Sequence, residues 1–114
     1  MNDKELLELA AKAYWGSQID DVCSIRWLEL DGCIGYTHAD NQDHNGCDVE
    51  LLWNPLTDDG DRYRLAKKLK FVIDFEMCTV SCDIAGEPHI FQWGGAISEE
   101  RAFVVAAAEL GKLL

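Results

Sequence analysis

Trp53-Asn54-Pro55-Leu56-Thr57-Asp58-Asp59-Gly60-Asp61-Arg62-Tyr63-Arg64-Leu65-Ala66-Lys67-Lys68-Leu69, followed by Phe71-Val72-Ile73-Asp74-Phe75-Glu76, decides the fold. The first part reads as a helix over residues 59–70. Thr57 or Asp58 caps it, and Asp59 and Asp61 crowd its positive end. Leu65, Ala66 and Leu69 form its buried stripe, and Lys67, Lys68 and Lys70 sit near its negative end. Then the period changes. Phe71, Ile73 and Phe75 alternate with Val72, Asp74 and Glu76, so residues 71–76 read as a strand with one face in a core. A helical period running directly into a strand period points to an α+β domain.

The pattern extends in both directions. Towards the N-terminus, residues 3–15 carry Leu6, Leu9, Ala10, Ala13 and Tyr14 at helical spacing. Asn2 caps that helix, Glu5 completes a capping box, Glu8 and Lys12 make an i,i+4 pair, and Gly16 ends it. Residues 22–30 and 33–37 read as strands joined by a two-residue hairpin at Asp31-Gly32. A polar loop over 38–46 and a short strand over 47–53 follow. Towards the C-terminus, residues 79–84 and 89–93 are strands around a turn at Ala85-Gly86-Glu87-Pro88. Ser98 caps a last helix over 99–113, with Phe103, Ala107, Leu110 and Leu114 in one stripe and Val104, Ala108 and Leu113 broadening it. The order α-β-β-(β)-α-β-β-β-α gives an α+β fold: a small, mostly antiparallel sheet with helices packed on it, like an α/β/α sandwich. The chain of 114 residues makes a single domain over 1–114 without internal repeats.

Apolar residues are 48% and charged residues 27%, which excludes a disordered tail or a fibre. No apolar run reaches the ~18–20 residues that a membrane span needs. The charged start Asn2-Asp3-Lys4-Glu5 does not resemble an export signal, so a cytoplasmic location in a bacterial host is expected. The five cysteines are then expected as reduced thiols. Charge is strongly asymmetric. Residues 1–61 hold 14 acids and 3 bases; residues 62–114 hold 7 of each; the total is −11. Such a surface repels phosphates and favours a basic partner or simple solubility.

Two segments carry a family resemblance. Trp53-Asn54-Pro55-Leu56-Thr57-Asp58-Asp59-Gly60-Asp61 with Arg64-Leu65-Ala66-Lys67-Lys68-Leu69, and the Ala-rich run Ser98-Glu99-Glu100-Arg101-Ala102 to Gly111, resemble the phage ABA sandwich domain family of small bacteriophage and prophage proteins. The N-terminal helix with its aromatic-Gly end also fits. The likeness covers about half of the chain. The family tends to small or aliphatic residues where Arg62, Tyr63 and Lys67 stand here. The resemblance implies a sheet with helices on both faces and a phage or prophage origin. It brings no catalytic residue and no functional residue to carry over.

Several constellations suggest chemistry, each beside a plainer reading. Asp58, Asp59 and Asp61, with Asp48 and Glu50, could bind Mg²⁺ in a nuclease-like site. A capped helix start places the same residues, with Trp53, Asn54, Pro55, Leu56 and Gly60 anchoring the turn. No Asp/Glu-x-Lys triplet is present, which counts against a nuclease. Asn41, Asp43, Asn45 and Gly46 imitate a calcium loop, but Leu52 stands at its twelfth position. Cys33, His38, His44 and Cys47 suit zinc, yet only His44-x-x-Cys47 has ligand spacing. Cys78 and Cys82 lie on one face of a strand, roughly 13 Å apart if it is regular. His89 has no nucleophile motif around it. Arg62, Arg64, Lys67, Lys68 and Lys70 form a basic cluster expected to pair with neighbouring acids. Trp15-Gly16 and Trp93-Gly94-Gly95 read either as interface anchors or as core.

The reading that follows is a non-enzymatic protein that binds a host or phage protein, as an inhibitor or DNA mimic would, with no cofactor and no metal. Nucleic acid and membrane are not expected as partners. The expected contact residues are Asp40, Asp43, Asp48, Glu50, Asp58, Asp59 and Asp61, within a wider fan that includes Asp20, Asp21, Glu29 and Asp31. The alternatives are a metal-dependent hydrolase using Asp58, Asp59 and Asp61, and a self-associating structural phage protein.

Overall fold

A computed structural model describes residues 2–16, 22–42 and 48–113. The elements are helix α1 (Asp3–Trp15), strands β1 (Val22–Leu28), β2 (Cys33–Gln42) and β3 (Asp48–Trp53), helix α2 (Asp59–Lys68), strands β4 (Val72–Asp74), β5 (Thr79–Ile84) and β6 (Glu87–Gln92), and helix α3 (Glu99–Gly111). The α+β class and the order of elements are those the sequence implies. The strands divide between two antiparallel three-stranded sheets, β1-β2-β3 and β4-β5-β6. The division follows from connectivity. Each meander satisfies its backbone by pairing with its immediate neighbours, and α2 separates the two runs. α1 rests on the first sheet and α3 on the second, and the two helices pack along each other.

All three helix starts are capped as their sequences require. The Asn2 side chain accepts from the Glu5 N–H at 2.9 Å, Asp58 from the Asp61 N–H at 2.9 Å, and Ser98 from the Arg101 N–H at 3.2 Å. At the other end of α1, the Gly16 N–H reaches Lys12 O with φ 40°. The buried face of α1 is Leu6, Leu7, Ala10, Ala11 and Trp15, broader than the expected stripe, because α3 covers one flank and the first sheet the other. In α3 the buried set is Ala102, Phe103, Val104, Ala106, Ala107, Ala108 and Gly111. Leu110 is only half-buried and Leu113 is exposed, because the helix ends at Gly111; Leu114 lies outside the described residues.

The strands differ from expectation in detail. The first hairpin turns over Glu29–Gly32 rather than two residues, closed by the Gly32 N–H on Leu28 O with φ 63°. β2 runs on to Gln42 with a register shift, so part of the expected polar loop is strand. β4 stops at Asp74 because its carboxylate accepts from the Glu76 and Met77 N–H groups and starts a turn. Phe75 therefore lies outside the strand and is 67% exposed. Cys78 sits in that turn at φ 55° and not on a strand with Cys82. Ala85 and Gly86 have φ 55° and 84°, the left-handed pair that suits a tight hairpin.

Two core clusters result. One joins α1, Ile34, Trp53, Leu65 and the Val104–Ala107–Ala108 side of α3. The other joins Ala66, Val80, Cys82, Ile84, Ala102, Phe103 and Ala106. Phe71 packs against both.

Candidate functional site

The β3–α2 turn uses its acids internally. Asn54 accepts from the Leu56 N–H, and the Asn54 N–H donates to Asp61 Oδ2 at 2.9 Å. Asp61 is 8% exposed, and its other oxygen takes Arg64 Nη2 at 2.7 Å. That bond holds the Arg64 guanidinium above its ordinary pKa. Asp59 pairs with Arg62, whose Nη1 also donates to Pro55 O at 2.9 Å. Trp53 and Pro55 are fully buried, and Gly60 packs beside Arg64. Each of Asp58, Asp59 and Asp61 thus answers a different donor, and the three carboxylates do not converge on one point. Among the described residues, no three His, Cys, Asp or Glu come together as a metal site.

The other expected residues spread over the first sheet. Glu50 accepts from Arg26 Nε at 2.8 Å and Nη2 at 2.9 Å, which holds its carboxyl below the usual carboxylate range. The pair spans the sheet above Gly35, the residue opposite Arg26 on β2. Asp40 and Asp48 lie on β2 and β3; Asp20, Asp21 and Asp43 lie outside the described residues. Cys33 and His38 stand at opposite ends of the β1–β2 ladder, paired with Leu28 and Val22. His44 and Cys47 lie outside the described residues, as do Asn45 and Gly46. His89 is exposed on β6.

Beneath the acidic turn, Tyr14, Trp15, Tyr36 and Trp53 form an aromatic cluster with ring centroids 5.0–5.4 Å apart. Lys68 lies 4.7 Å over the Tyr14 ring. Burial raises both tyrosine hydroxyls and the Cys33 thiol above their ordinary pKa values. Trp15 is 7% exposed, so it is core; Trp93 is half-buried against Phe75 and Phe103.

A cavity of about 600 Å³ opens between α1 and β1. Ala11, Trp15, Ile25, Trp27 and Ile34 give it an apolar lining, and Glu8, Lys12 and Arg26 also line it. No motif in the sequence marks this place. The signal was Ile25 and Trp27, two large apolar residues on alternate positions of a strand with only one helix available to cover them. Compared with protein-family models, curated proteins and solved structures, the chain finds no match.

Proposed function

We propose that the protein acts by binding another protein through the acid-rich half of its surface, as a small acidic phage-type protein directed at a host or phage target with a basic surface. Covering such a surface is how an inhibitor of that target would work. The observation that supports this reading is how charge maps onto the fold. Residues 1–61, with 14 acids against 3 bases, build α1, the first sheet and the β3–α2 turn. Residues 62–114, with 7 of each, build most of α2, the second sheet and α3. Glu5, Glu8, Glu29, Asp31, Asp58 and Asp59 are exposed on the acidic half. Asp61 faces inward, so it serves that surface by holding Arg64 and the turn rather than by touching a partner. No helix among the described residues is long and apolar enough to cross a membrane.

The test is capture from a bacterial lysate at low salt with the tagged full chain, followed by titration of the purified pair across ionic strength. A stoichiometric partner is expected, with affinity falling roughly tenfold or more from ~50 mM to ~500 mM salt, as exposed charge pairs are screened. Affinity that does not change with salt overturns the reading.

A further inference from the structure

We draw no further inference here: the strongest candidate, the apolar cavity between α1 and β1, is lined by Glu8 and Lys12 with opposite charges, its Arg26 is held by Glu50, and nothing in the structure shows what covers it.

Discussion

Gly35 shows how much one missing side chain can organise. A Cβ there would lie 2.7 Å from Leu28 Cδ1 and 2.9 Å from Glu50 Cδ, so those two side-chain ends would have to shift and the Arg26–Glu50 pair over β2 with them. Gly35→Ala should cost about 1 kcal/mol in urea unfolding, the low end of overpacking, because both crowded atoms end side chains that can shift. Glu50→Ala placed in the same chain should recover part of that, because one of the two crowded side chains is gone. Additive losses in the double variant would show that the pair and the glycine are independent. The pair also has a pH signature. Arg26 lowers the folded-state pKa of Glu50, so its contribution is present above the ordinary carboxylate pKa and is lost as pH falls through the depressed value. Asp61 is the other decisive side chain. Asp61→Ala strands the Asn54 N–H and releases Arg64, for an expected loss of about 2 kcal/mol. Asn54, Pro55 and the capping Asp58 were legible in the sequence. That Asp61 turns inward was not, because acids at a helix start look alike until the preceding strand fixes where the Asn54 N–H points.

At the level of elements, the helices were the legible part, since caps and apolar spacing are local. Asn2, Asp58 and Ser98 each cap as their positions demand, and Ser98→Ala should cost about 1 kcal/mol. Strand ends were less legible, because they depend on turns made by side chains such as Asp74 and on left-handed backbone at Cys78 and Ala85. The α1–α3 contact was not legible at all. A Cβ on Gly111 would stand 1.9 Å from the Leu9 carbonyl oxygen, so the two backbones meet there. The small residues Ala10, Ala107 and Ala108, all fully buried, permit that approach. Read alone, a glycine at the end of an Ala-rich helix looks like a stop signal. Gly111→Ala is expected to lower stability by about 3 kcal/mol, more than a helix-propensity change explains, since Ala favours helix over Gly. Stability equal to or above that of the parent would mean that the close approach does not exist in solution.

The whole molecule, with extents of 50 × 30 × 22 Å, consists of two sheet-and-helix halves joined through α1, α3 and Phe71. Composition disclosed the charge division between them, but could not disclose that six strands would form two sheets, because either arrangement satisfies the same local pairing. The halves share one pH behaviour. Burial raises the thiols of Cys33 and Cys82 and the hydroxyls of Tyr14 and Tyr36, three in the first core and its sheet and one in the second. A folded-state pKa above the unfolded value contributes stability that is full below the unfolded pKa and is lost as pH rises through the folded one. The urea midpoint should therefore hold steady near neutrality and fall once pH passes the unfolded thiol value of about 8.5, then fall further through the tyrosine range near 10. Cys82→Ala removes the second core's share and should flatten the first part of that decline. If α1 and α3 couple the halves as tightly as Gly111 implies, near-ultraviolet signals from the Trp53 cluster and from Trp93 should decline together at each pH. Separate transitions would show two independent cores, and the loss of stability in alkali would then be confined mainly to the half that holds Cys33, Tyr14 and Tyr36.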